Sequence, residues 1–329
     1  MKRLLWFFAI LAVVAVGRLA YRLNDRPSME PYRALALEVA APETEKLRAT
    51  FLGVSTLLFD DGETAILVDG FFSRPSAFRT IVTRITPDVA VIARSLERAG
   101  IRELAAVLTV HSHYDHAMDS PDVARRTGAL LVGSESTANI GRGAGLTEDS
   151  IRVVKDGDRM TFGKLAVTAI RTAHFPHGMA MGEITAPLIP PARATAYLEG
   201  GNYSYLIEHG GHTLLVQGSA GFVPGALRGI AAEVVFLGIT GLGSREDEYR
   251  DSYWREVVDA VGAKRVIPIH WDDFTLPLDR PLEAMPRLLD DIPLTMSFLL
   301  ERAKDRGVDV RLAPEWQVVD PFAGLAPEL

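Results

Sequence analysis

His111-Ser112-His113-Tyr114-Asp115-His116 is the stretch on which the reading of this chain turns. It puts three imidazoles and a carboxylate within six residues of a chain that has only 8 histidines in 329 positions. Side chains of an extended strand alternate between faces, so His111 and His113 point to the same side. If the chain then turns, Asp115 and His116 face a second position close by. Imidazole nitrogen and carboxylate oxygen are the donors that borderline cations such as Zn2+ take. The stretch follows directly on the apolar run Leu104 to Val110, which reads as a buried strand, so a rigid sheet presents it. A polar surface loop with incidental histidines is the competing reading, and it leaves the spacing unexplained.

Working outward, residues Thr50 to Val68 alternate around Asp60-Asp61-Gly62 as a hairpin would. Ser120-Pro121 offers an N-cap and a first-turn proline for a helix to Thr127, and a strand from Ala129 to Gly133 follows. Ile151 to Val154 and Leu165 to Ile170 read as strands around the Asp156-Gly157 turn. Residues Pro176 to Gly201 hold Pro187, Pro190 and Pro191 and little periodicity, which predicts a long, functional loop. Tyr203 to Glu208 and Thr213 to Gln217 flank Gly210-Gly211 as a second hairpin, with His209 and His212 expected in solvent. Val234 to Gly238 reads as a strand, Tyr249 to Val261 as a helix, and Arg265 to Ile269 as a strand ending at His270. Helical stretches between Leu282 and Arg306 and a strand near Val308 to Leu312 complete the chain. Hairpin-rich stretches alternate with helices, which predicts an α+β arrangement of two packed sheets with helices outside.

Composition excludes several functions. Hydrophobic residues at 48% and charged residues at 23% are those of a folded protein, and the length suits one large domain. A net charge of -7 without a basic stretch disfavours nucleic acid. The absence of cysteine excludes disulfides, thiolate nucleophiles, Cys-held metals and an acylated lipoprotein. There is no Gly-x-Ser-x-Gly elbow. The glycines at Gly141, Gly143 and Gly145 lack the phosphate-loop pattern and read as flexible loop.

The N-terminus stands apart. Lys2 and Arg3 precede the apolar run Leu4 to Val16, and continuation through Arg18 to Tyr21 nearly reaches the ~20 residues of a spanning helix. Residues 1–23 are therefore expected to be a signal anchor or a signal peptide. Residues 24–47, rich in Pro, Glu and Arg, read as a linker, and 48–329 as the catalytic body. That organisation predicts a membrane-anchored or exported protein, extracytoplasmic or periplasmic in a bacterium.

His-x-His-x-Asp-His resembles the signature of the metallo-β-lactamase superfamily, and the likeness covers most of residues 48 to 315, from Gly53 and the turn into Asp69 to the late ligands. Within it, Val266-Ile267-Pro268-Ile269-His270-Trp271 looks like the last motif of the branch of ascorbate-phosphate lactonases and N-acyl-phosphatidylethanolamine phospholipase D. The resemblance implies a four-layer αβ/βα sandwich with a dinuclear metal site at the sheet edges. It implies that His111 and His113 hold one metal with a third histidine, either His174 or His177; His174 is favoured because it follows a strand directly. Asp115, His116 and His270 would hold the second metal. Where the family places a bridging aspartate, this chain has Ser219. The second metal is then weak, or water bridges, or the site is impaired, or Ser219 orients the attacking water.

These readings predict a metal-dependent hydrolase, with Zn2+ as one or two ions and Mn2+ or Fe2+ as alternatives, acting through a metal-bound hydroxide on an ester, lactone or phosphodiester. Asp115 would also serve as the catalytic base, and Tyr114 is placed to donate a hydrogen bond. The expected substrate is a small or lipid-like molecule. An iron-dependent oxidoreductase of the same fold, or a membrane-tethered binding protein with a degenerate site, are the alternatives.

Overall fold

The hairpin signal at Asp60-Asp61-Gly62 is realised as strands Leu57–Asp60 and Ala65–Val68, paired antiparallel with Phe59 opposite Ile66. They lie inside the first of two seven-stranded sheets in a computed structural model that describes residues 2–40 and 46–325. Across that sheet run Val318–Val319, Arg48–Phe51, Leu57–Asp60, Ala65–Val68, Ala106–Leu108, Leu130–Gly133 and Ile151–Val153, the last four in parallel. The second sheet runs Asp309–Val310, Arg265–Ile269, Val234–Gly238, His212–Gln217, Asn202–His209, Leu165–Thr172 and Arg159–Phe162. Its first four strands are parallel and the rest antiparallel.

Alternation along the strands sends one apolar face of each sheet to the other. Phe59 and Phe236 meet edge-on across that interface, with ring centroids 5.4 Å apart. Helices Val89–Arg98 and Ser120–Thr127 cover the outer face of the first sheet through Ile92, Leu96 and Val123. Asp247–Trp254 and Ile292–Arg306 cover the second through Tyr253, Trp254, Met296 and Leu299. The result is the expected four-layer α+β sandwich.

Several local expectations are corrected. Asp156-Gly157 is a crossover, because Ile151–Val153 belongs to the first sheet and Leu165–Thr172 to the second. Leu165–Thr172 instead forms a hairpin with Arg159–Phe162, a strand the sequence reading passed over. Gly141 and Gly143 lie in helix Glu135–Gly143, where Gly141 sits close to Leu131 and Gly143 close to the Leu188 backbone. The helix from Ser120 has Asp119 as its N-cap residue, while the Ser120 hydroxyl donates to the Asp69 and His116 carbonyls.

At the N-terminus, Lys2–Asn24 is one helix, and Trp6–Asn24 is long and apolar enough to cross a membrane, with none of that span buried. The stretch expected as a linker, 24–47, lies along the body over much of its described part. Pro27 and Leu37 are buried, and Leu37 and Ala40 donate backbone hydrogen bonds to Leu312 and Val318. Residues 41–45 of that stretch, with Met1 and 326–329, lie outside the described residues.

Candidate metal centre

Five strands end on one edge of the sandwich, and each is followed by a polar residue. Ala65–Val68 leads to Asp69, Ala106–Leu108 to His111, Leu165–Thr172 to His174, Val234–Gly238 to Thr240 and Arg265–Ile269 to His270. Loops at the carboxyl ends of such strands are where α/β sheets bind ligands, because the rigid strands fix the loop positions. His113 is the N-cap residue of the short helix Tyr114–Ala117, so the chain turns there and carries Asp115 and His116 to a second position.

The donors fall into two groups. His111, His113 and His174 bring ring nitrogens within 4.8 Å of one another, and Asp115, His116 and His270 do the same with their donor atoms. His177 is in neither group. Its ring lies 4.6 Å from that of His174, but its Nδ1 accepts from the Met179 amide, and the side chain is half-buried at the rim. Tyr114 packs edge-on between Phe71 and Phe274, at 6.0 and 6.2 Å.

The outer nitrogen of each ring shows how the inner one is protonated. His116 Nδ1 meets the Asp69 carboxylate at 2.8 Å, and a carboxylate only accepts, so Nδ1 carries the proton. His174 Nδ1 lies 2.7 Å from the Phe175 carbonyl and His113 Nε2 3.3 Å from the Ala180 carbonyl, which fixes those tautomers in the same way. His270 Nδ1 is 2.6 Å from Thr240 Oγ1, and that hydroxyl already donates to the His270 carbonyl. His270 Nδ1 must therefore donate, and its Nε2 is a bare lone pair. It faces His116 Nε2, a second lone pair when that ring is neutral, at 3.2 Å. Two lone pairs at that distance repel unless a cation or proton lies between them. His111 is fully buried with both ring nitrogens unpartnered, a costly arrangement for a polar group that binds nothing. The donor set therefore fits a pair of divalent cations.

Electrostatics agree for the group of His111, His113 and His174. Burial, with the neighbouring imidazoles, pushes His111 well below the usual histidine range; it takes His113 down to about 4 and His174 to about 2, so all three are neutral donors at neutral pH. Burial raises Asp115, but His116 and His270 outweigh it and hold the carboxylate ionised. Burial lowers His116, yet Asp69 and Asp115 raise it overall.

Backbone strain collects around the same edge. Val54, Asp69 and His270 take φ of 55°, 59° and 57°, a left-handed conformation that bulky residues rarely adopt. Partners hold them there: the Val54 amide donates to Asp272 Oδ1, and the His270 amide to the Val54 carbonyl. A buried Arg74–Asp272 ion pair of 2.7 Å locks that link.

Ser219 is buried beside the His174 turn, and its hydroxyl accepts from the Phe175 amide at 2.9 Å. Gly221 packs on the backbone of Ala173 and His174 with no room for a Cβ. The loop that would carry a bridging acid thus positions a histidine. Glu199, half-buried, has its carboxyl pushed up by burial although the His174 backbone donates to it. His209 is not solvated but buried against Asp61 at 3.0 Å; His212 stays partly in solvent, pairs with Glu233 at 2.8 Å and stacks on Phe322.

Comparison with known proteins points the same way. Residues 64–271 match the family model of the beta-lactamase superfamily domain. A UPF0173 metal-dependent hydrolase of Heliobacterium modesticaldum is 22% identical over 257 residues, 75% of this chain and 91% of its own. Among solved structures, the metallo hydrolase Igni18 of Ignicoccus hospitalis aligns with a TM-score of 0.54 at 16% identity, over 83% of this chain and 97% of that one. CmlA, a diiron β-hydroxylase from Streptomyces venezuelae, aligns at 0.51 and 15%, over 85% of this chain and 55% of its own. At those identities the solved structures share the fold with this chain.

Proposed function

This chain belongs to the β-lactamase superfamily, whose domain model spans residues 64–271, and on that premise we propose that it is a dinuclear metal-dependent hydrolase. The observation that carries the reading is the fixed set of imidazole tautomers, each with its inner nitrogen left bare. His111, His113 and His174 would hold one cation and Asp115, His116 and His270 the other. Imidazole nitrogen and carboxylate oxygen donors suit Zn2+. Bound there, the ions acidify water and polarise the oxygen of an ester, lactone or phosphodiester.

The chain's own groups do the rest. Asp115, ionised and facing His116 and His270, orients the attacking water and accepts its proton. Ser219 keeps His174 in place but brings no negative charge, so the two cations are held unequally. The apolar helix Lys2–Asn24 anchors the enzyme in a membrane.

Metal analysis of full-length protein purified without added metal tests this reading. We expect close to two ions per chain, one tight and one weak, and loss of both metal and activity in a His111→Ala/His113→Ala variant. Activity on a panel of phosphodiesters, lactones and carboxylic esters should vanish with chelator and return with zinc or manganese. Unchanged metal content in the double variant would sink the proposal.

A further inference from the structure

Helix Ala77–Val82 has no buried side chain, and its large apolar residues face out: Phe78 is 71% exposed, Ile81 76% and Val82 50%. So short a helix gains little from its own backbone, and apolar residues grouped on one exposed element mark a contact surface. Two further observations say what covers it.

First, the helix borders the metal centre. The chain enters the helix from Phe71, whose ring packs on Tyr114 at 6.0 Å, and from Arg74, which pairs with Asp272 at 2.7 Å; Tyr114 sits between His113 and Asp115. Second, the N-terminal helix leaves the body beside the same place. The Asp25 carbonyl accepts from the Arg287 amide at 2.9 Å, and Arg26 pairs with Asp273 at 2.8 Å and Glu283 at 3.4 Å. Asp273 adjoins Phe274, the ring that packs against Tyr114. Contacts through Phe274, Tyr114 and Phe71 thus run from the exit of the apolar helix to the chain that enters Ala77–Val82. Leu288 and Leu289, 45% and 54% exposed, flank the exit next to Arg287. Exposed Arg79 stands among the apolar side chains, the mix of cation and hydrocarbon that suits a bilayer interface.

We propose that the mouth of the metal centre is held against the lipid bilayer, with Phe78, Ile81 and Val82 seated among the headgroups, so that an amphiphilic substrate enters from the membrane. The inference rests on the anchoring read for Lys2–Asn24 under the proposed function. A protein partner would not require the exit of a membrane-length helix at this spot, whereas a bilayer does.

The chain has no cysteine, so a single introduced thiol reports its own surroundings. Full-length Ile81→Cys is labelled with a polarity-sensitive fluorophore and reconstituted into vesicles of phosphatidylcholine and phosphatidylglycerol. Glu63→Cys is the control, since Glu63 lies in the turn at the far end of the strand that leads into Asp69. The label at 81 should shift to the blue and be quenched several-fold more strongly than that at 63 by lipids carrying a nitroxide high on the acyl chain. If both variants float with vesicles yet are quenched alike, the orientation is overturned while the anchor stands. If neither floats, the anchor reading fails and the inference with it. A blue shift at 81 that needs no lipid and grows with protein concentration would assign the surface to a second copy of the chain and overturn the proposal.

Discussion

At Asp69 one carboxylate serves three partners. It accepts from His116 Nδ1 at 2.8 Å, from the Ser55 hydroxyl, and from the amide of Val110, the residue before His111. It thereby sets the tautomer of one donor and the position of the strand end that carries two more. Thr240 does the narrower task for His270. Asp69→Asn presents an amide that donates as readily as it accepts, and Thr240→Val removes the hydroxyl that accepts from His270 Nδ1. Each change should weaken metal binding ~10- to 100-fold, the usual effect of losing a partner behind a metal-binding histidine. Competition with a chromophoric chelator measures this, and circular dichroism checks that the fold persists. Parental affinity in both variants would remove these residues from the account of the site. His111, His113 and His116 were legible because their spacing is local, and His174 and His270 because each follows an apolar strand. Asp69 lies 47 residues before His116, and only closure of the fold brings them together. It left one local trace, shared with Thr240: a polar residue just beyond a buried apolar strand. Ser55 left none.

Strands buried on both faces announced themselves as apolar runs, so Val234–Gly238 and Arg265–Ile269 were read to the residue, while helix Ser120–Thr127 was read with its cap one residue late. Turn chemistry misled at Asp156-Gly157, since a hairpin and a crossover use the same residues and only packing decides which sheet receives the next strand. The loop 176–201 divides its apolar side chains in a way sequence does not show. Ile184, Ala192 and Tyr197 are buried with Val54, Phe71 and Met118, whereas Met179, Met181 and Ile189 are exposed. Asp290 lies just before helix Ile292–Arg306 and ties it to the second sheet by accepting from the Gly241 amide at 2.7 Å. Burial raises its carboxyl from 3.8 to about 6. The folded chain therefore binds more protons than the unfolded chain between those values. The contribution to stability is complete below the unfolded value and is lost as pH rises through about 6. Asp290→Asn keeps an acceptor for Gly241 and does not titrate. Relative to the parent, both stripped of metal, it should gain on the order of 2 kcal/mol between mildly acidic and mildly alkaline pH. Urea denaturation at the two ends of that range measures the change, and any constant offset from the substitution cancels. A parent-to-variant difference independent of pH would refute the assignment.

On the scale of the whole molecule, the apolar helix and the body are joined by a strap rather than a tether. After Asn24 the chain is fixed by Arg26 to Asp273 and Glu283, by buried Pro27 and Leu37, and by the Leu37 and Ala40 backbone bonds to Leu312 and Val318. Composition alone could not reveal this, because a Pro- and Glu-rich stretch looks the same whether it hangs free or lies along a surface. Two truncations separate the possibilities. Removal of residues 1–24 takes away a helix with no buried face and leaves every strap contact in place, so the remainder should be soluble with an unchanged melting temperature. Removal of residues 1–46 strips the strap as well, Leu37 included, but keeps Leu47 in the core. Burial of one leucine is worth ~1.5–3 kcal/mol, and each kcal/mol moves the melting temperature of a body this size by ~2–4 °C. The longer truncation should therefore melt roughly 5–10 °C lower. Because Arg26 grips the segment just after His270, it should also hold metal less tightly. Scanning calorimetry on both truncations, each with and without metal, reads the two effects together. Equal melting temperatures would mean that the strap contributes nothing to the stability of the body.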